Sequence, residues 1–154
     1  MGKTKSKVLV IDASIAQAVG SSERTKPLRD FLMEVYNICH QAVTTPEIRI
    51  EWKNHHSKFF QQWRKSMYSK KKIKDEEHVP EDSPLRQYIG LVKDQEKKKE
   101  MEKDLHLIEA ALTADKIIIS LDNKAEKHFG KFLKEQKIQW INPLKDKNAI
   151  SSLE

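Results

Sequence analysis

The chain has 154 residues, is 38% hydrophobic and 34% charged, and carries a formal net charge of +6. That balance describes one globular domain able to bury its own core, excludes a low-complexity chain, and favours polyanionic partners. No apolar run reaches the roughly 20 residues that span a bilayer; with Cys39 as the single cysteine, the expectation is a cytoplasmic protein without a disulfide framework or a membrane association.

The "GKTKS" stretch at residues 2–6 lacks the strand and first glycine of a phosphate-binding loop and is set aside. Lys7 to Ile11 is short, continuously apolar and β-branched, as buried parallel strands are, and it runs straight into Asp12. Ala13 to Val19 reads as a short helix stopped by Gly20. Ser22 is the expected cap of a helix over Glu23 to His40, with Leu28, Phe31, Leu32, Val35, Tyr36 and Ile38 at helical spacing. Within that pattern Cys39 reads as a small core residue. "AVTTP" is a brief second strand, after which Thr45 caps a helix that starts at Pro46 and runs to about Ser69. Lys70 to Pro84 reads as a polar surface loop.

Ser83 and Pro84 are the expected cap and first position of a helix that continues to about Ala114. Its Lys93 to Asp104 portion balances lysines against acids, the pattern of a solvated helix surface. Lys116 to Ser120 is the second clear buried strand, and it too runs into an aspartate, Asp122. A helix over Asn123 to Gln136, the strand "IQWIN" and a polar tail complete the chain. This alternation predicts an α/β fold: a three-layer α/β/α sandwich around a mostly parallel sheet of four to five strands. The expected organisation is one domain over 1–154, with its core at 6–142 and a tail at 143–154.

Parallel α/β sheets bind ligands beyond the carboxyl ends of their strands. Asp12 and Asp122 therefore belong to one edge. Glu47 and Glu51 lie four residues apart on the helix that follows strand two, so they share a face near that edge. In "EKDLHLIEAAL", Asp104 falls in line with the apolar stripe of Leu107, Ile108 and Ala111, so it points inward. Four gathered carboxylates raise one another's pKa unless a cation joins them. An oxygen-only donor set suits Mg²⁺ or Mn²⁺, which can activate water for attack on a phosphodiester.

The segments "VLVIDAS", "TTPEIRIEW", "EKDLHLIEAAL" and "IIISLDNKAEKHF" resemble, in order and spacing, those of the PIN-domain nucleases over roughly residues 7 to 142. The resemblance extends to toxin components of toxin–antitoxin pairs. It implies a metal-dependent endoribonuclease in which Asp12, Glu51, Asp104 and Asp122 hold Mg²⁺ or Mn²⁺. Water then cleaves RNA to leave a 5′-phosphate and a 3′-hydroxyl. Ser14 and Ser120 match hydroxyl positions that support such a site. An antitoxin protein is the further partner implied, and the aromatics of the Lys53 to Lys74 segment offer an alternative interface for an antitoxin or a homodimer. The chain departs from small members in a longer segment between Glu51 and Asp104, read as an extended helical insertion. Glu47 stands as an alternative to Glu51, and Glu109 as a further candidate.

Lys53 to Lys74 holds eight basic residues and no acid, with Phe59, Phe60, Trp63 and Tyr68 interleaved. Cations that track phosphates beside aromatic rings are what single-stranded RNA binding uses. Lys53, Lys58, Arg64 and Lys65 are the RNA-binding candidates, whereas Phe59, Phe60 and Trp63 fit a buried helix face. His55 and His56 read as exposed polar residues, and His106 is given no role. Two rivals to the nuclease reading are a PIN-like module that binds RNA or protein without cutting, and an aspartate-phosphorylating domain. The latter is disfavoured by Ser14 where a second aspartate belongs.

Overall fold

The computed structural model describes residues 6–146 and residue 153. Residues 1–5, with most of "GKTKS", and residues 147–152 and 154 of the C-terminal tail lie outside the described residues. Five short strands, β1 Val8–Ile11, β2 Gln41–Thr44, β3 Ile73–Asp75, β4 Ile117–Ile119 and β5 Gln139–Ile141, form one sheet in the order β3-β2-β1-β4-β5. Every pairing is parallel, with Ile11 opposite Ile119 at the centre. Leu9, Val10 and Ile11 are fully buried, which is why β1 carries no polar alternation: both its faces meet helices.

Among the described residues eight α-helices flank the sheet: α1 Ala13–Ala18, α2 Lys26–Ile38, α3 Pro46–His55, α4 Lys58–Ser69, α5 Ser83–Gly90, α6 Gln95–Leu112, α7 Asn123–His128 and α8 Gly130–Glu135. From β1 the chain steps outward to β2 and β3, then crosses back to β4 and β5. With the right-handed crossovers that parallel strands follow, this order puts the first set of helices on one face and the second set on the other. Helix pairs α1 with α3 and α2 with α4 pack within the first layer, and α6 packs on α5, α7, β1 and β4 within the second. Helices α3 and α6 belong to opposite layers yet touch. They meet over the carboxyl ends of the central strands.

Several boundaries differ from the sequence reading. The Lys70 to Pro84 segment is not all loop, because Ile73–Asp75 pairs with β2 as an edge strand. Its polar sequence, with only Ile73 half-buried, is what an edge position tolerates. The helix expected from Pro46 to Ser69 is two helices. His56 takes an extended backbone, and the Ser57 side chain caps the new helix by accepting from the Phe60 amide. The helix expected from Ser83 breaks after Gly90 and restarts at the Asp94 cap. Asp82, not Ser83, caps its first part. Asn123 to Gln136 divides at Phe129, and Glu23–Thr25 is a 3-10 turn before α2.

Cys39 is not a core residue. It is exposed and ends α2 in the left-handed region at φ 69°. Leu153, within the segment read as a polar tail, is fully buried against the core. Among the described residues no helix is long and apolar enough to cross a membrane.

Candidate functional site

The strand order places β1 beside β4 where the chain reverses direction across the sheet, the position at which open parallel sheets form a crevice. Both strands deliver acids there. The Asp12 amide continues the β1–β4 ladder by donating to the Ile119 carbonyl at 2.9 Å. Its side chain stands at the start of α1 but makes no capping bond to that helix. Instead Asp12 Oδ2 accepts from the hydroxyls of Ser14 and Ser120, each at 2.8 Å. Those hydroxyls in turn accept from the backbone amides of Leu121 and Asp122, both at 3.0 Å. The two serines therefore aim Asp12 away from the helix amides that a simple cap would satisfy. Asp12 is buried, and that burial raises its pKa. The Ser120 and Ser14 hydroxyls pull it down, while the charge of Glu51 pushes it up.

Asp122 behaves differently. Its Oδ1 accepts from the Ala125 amide at 2.9 Å and caps α7. It also lines a cavity of about 260 Å³ together with Asp104, Glu100, Lys103, Lys124 and His128.

Asp104 faces inward from α6, three residues before the buried Leu107. Its pKa is pushed up to about 7, first by burial and then by the charges of Asp12, Asp122 and Glu51, with His106 opposing. Carboxylates delivered by β1, β4 and α3 thus act on one group of α6. Lys103 and Lys124 line the same cavity, but the largest charge effects on Asp104 come from the acids and His106.

Glu51 reaches this site because Trp52 is anchored. The Trp52 ring is fully buried, and its Nε1 donates to the Ile11 carbonyl at 2.9 Å. That bond fixes the face of α3 that Glu51 presents. Glu51 Oε2 lies 3.5 Å from His106 Nε2, within ion-pair range, while the buried Nε2 itself makes no hydrogen bond. Burial disfavours the charged imidazole, but Glu51, then Asp104 and the Lys103 carbonyl, outweigh it and raise the His106 pKa. Sequence reasoning passed over His106 because its partner lies on another helix; helical spacing from Asp104 carries no sign of it.

Glu47 is exposed and stands apart from the acids. It lines a separate pocket with His78, Arg86, His106 and Glu109. Glu109 is buried there, accepting from the Asp82 amide at 2.6 Å and from Arg86 at 3.1 and 3.2 Å. Its role is structural, holding α5 on α6. His55 is exposed and His56 half-buried at the α3–α4 break.

The donor set is all carboxylate oxygen, the chemistry a hard divalent cation takes. With the side chains as they stand, no three acidic, histidine or cysteine groups among the described residues are arranged to hold a metal ion. Asp12 and Asp122 each direct an oxygen to protein donors instead.

Lys53, Arg64 and Lys65 come together in a cleft between α3 and α4, joined by Arg49. Lys58 is exposed and lies outside it. The aromatic residues divide. Phe60 and Trp63 are buried, with Trp63 Nε1 bonded to the Leu32 carbonyl at 2.8 Å, and Phe59 packs against the core. Tyr68 alone among them remains exposed.

No family model matches the chain, and no curated protein matches it with significant similarity.

Proposed function

We propose that the protein is a metal-dependent endoribonuclease acting through Asp12, Glu51, Asp104 and Asp122. The observation that carries this reading is the state of Asp104. A half-buried carboxyl whose pKa is pushed up to about 7, first by burial and then by the charges of Asp12, Asp122 and Glu51, is a stability cost. A divalent cation among the four acids would remove that cost, and the oxygen-only donor set fits Mg²⁺ or Mn²⁺. When bound, the ion supplies an activated water and charge stabilisation for the phosphoryl group.

The chain's own residues do the rest. Ser14 and Ser120 hold Asp12 in its rotamer. Trp52 sets the direction of Glu51, and His106 restrains the Glu51 carboxylate. In the reaction, water attacks phosphorus and the bond to the 3′-oxygen breaks, which leaves a 5′-phosphate and a 3′-hydroxyl. RNA as substrate is supported by the net positive charge and the basic α3–α4 segment. A partner antitoxin rests on the resemblance alone.

The test is cleavage of labelled RNA in Mg²⁺ or Mn²⁺ by the wild type and Asp12→Asn. The expected result is metal-dependent cleavage by the wild type, lowered at least about 100-fold in the variant, the scale on which a charge-stabilising group acts. Equal cleavage by the two proteins overturns the mechanism. RNA binding without cleavage in either metal replaces it with a non-cutting binding module.

A further inference from the structure

Four cations line the cleft between α3 and α4, namely Arg49, Lys53, Arg64 and Lys65, and no carboxylate does. The cleft has a volume of about 620 Å³, more than twice that of the cavity beside Asp104 and Asp122. Its cations differ from the other basic residues of the same segment. Lys72 is consumed by the fold, donating to the Tyr36 carbonyl and lying 4.3 Å from the centre of the Tyr36 ring. Lys74 pairs with Glu76. Arg49 is braced by Thr44 at 3.0 Å and Glu77 at 2.6 Å. Among the described residues Lys53, Arg64 and Lys65 form no ion pair or side-chain hydrogen bond. The fold thus braces one arginine and leaves three cations in the same cleft to meet an anion from outside.

The position of the cleft is set by α3. Arg49 and Lys53 are four apart and share a helix face, and Glu51 lies midway between them on nearly the opposite face. One face of α3 therefore looks to the acids and the other to the cleft. With side chains a helix is about 10–12 Å wide, so the two sites lie about one helix width apart. Tyr68 adds an exposed ring, fixed by a 2.9 Å bond from its hydroxyl to Asp75 Oδ1. A fixed exposed ring beside free cations offers a base a stacking face while the cations hold phosphates.

We infer that the α3–α4 cleft is the binding track for the sugar-phosphate backbone of single-stranded RNA, with Lys53, Arg64 and Lys65 as its phosphate contacts and Tyr68 as its stacking platform. This rests on the nuclease reading only for the location of the cut, since binding in the cleft needs no chemistry.

The experiment measures fluorescence anisotropy of a labelled single-stranded RNA 12-mer with the full-length Asp12→Asn protein in Mg²⁺. The salt range is about 50 to 200 mM, over which phosphate contacts are read. Adding Lys53→Ala, Arg64→Ala and Lys65→Ala weakens binding at least tenfold. It also flattens the slope of log K against log salt by about 2, because each phosphate contact to a single strand contributes about 0.7. The charge-keeping triple Lys53→Arg, Arg64→Lys, Lys65→Arg retains binding, which separates lost charge from lost structure. A control triple of exposed lysines elsewhere, Lys131→Ala, Lys134→Ala and Lys145→Ala, changes affinity less than threefold. Tyr68→Ala weakens binding without changing the slope.

Equal losses in the cleft and control triples overturn the proposal. So does wild-type-like binding by the cleft triple, or equal affinity for duplex RNA of the same sequence. Retained cleft-dependent binding by a protein whose wild type never cleaves RNA overturns the nuclease reading and leaves the cleft standing. Metal-dependent cleavage unaffected by the cleft triple does the reverse.

Discussion

Trp52 Nε1 donates to the carbonyl oxygen of Ile11 at 2.9 Å, and this one bond ties the helix that carries Glu51 to the strand that delivers Asp12. The indole is fully buried and also packs edge-on against Phe60, with ring centres 5.0 Å apart. Trp52→Phe strands the Ile11 acceptor in the interior, at a cost of about 1–3 kcal/mol, with a further loss from the smaller ring. The urea midpoint is expected to fall at an unchanged m value. An unchanged midpoint would show that the carbonyl finds another donor.

Asp104 sets a pH dependence of known sign. Its folded pKa, about 7, lies above the ordinary carboxylate value of 3.8. Between those limits the folded state binds more protons than the unfolded chain. Stability contributed by this group is present below about pH 4 and is lost as pH rises toward 7, with a slope of at most about 1.4 kcal/mol per pH unit. Asp104→Asn removes that slope and makes the metal-free protein more stable at pH 8. Denaturant titrations across pH 4–8 in EDTA measure both effects, and parallel profiles for the two proteins would refute the assignment.

The Glu51–His106 pair is testable without activity. Burial lowers the pKa of the imidazole, but the Glu51 carboxylate outweighs it. Glu51→Gln is therefore expected to lower the His106 pKa, read from the ring-proton shifts in an NMR titration. Glu47→Gln, in the neighbouring pocket, leaves it in place. An unmoved His106 in Glu51→Gln would mean the pair does not persist in solution.

Glu109 is buried and Arg86 half-exposed, 3.1 Å apart. Arg86→Met leaves the carboxylate with the Asp82 amide alone. The expected loss is about 1–3 kcal/mol, measured by thermal or urea unfolding. Glu109→Gln, which keeps an acceptor for that amide, costs less.

The central strands were legible because burial on both faces writes itself into the sequence as unbroken apolar runs, "VLVI" and "IIIS". The carboxyl-edge placement of Asp12 and Asp122 followed from topology alone. Edge strand β3 was not legible, because "IKD" has one half-buried residue and no period to detect. The breaks inside long helical patterns carried weak marks, Ser57 and Asp94 as caps and Gly90 as a stop. Apolar spacing continued across them and masked the marks. Cys39 was misread for the same reason, since an apolar stripe says nothing about a left-handed cap at its end. His106 and Arg49 earn their places through partners on other elements, Glu51 for one and Glu77 and Thr44 for the other. Those contacts exist only once the chain is folded.

The pairing of Asp12 with Ser120 joins residues 108 positions apart. It depends on β4 inserting beside β1 after the crossover from β3. Closing so long a segment costs chain entropy before any contact rewards it. Until that closure the four acids are scattered along a solvated chain and repel one another little. Their repulsion is thus a burden on the finished protein and not on the route to it. Relieving it by Asp104→Asn should slow unfolding while leaving the folding rate nearly unchanged, so the acidic edge governs how long the native state lasts more than how fast it forms.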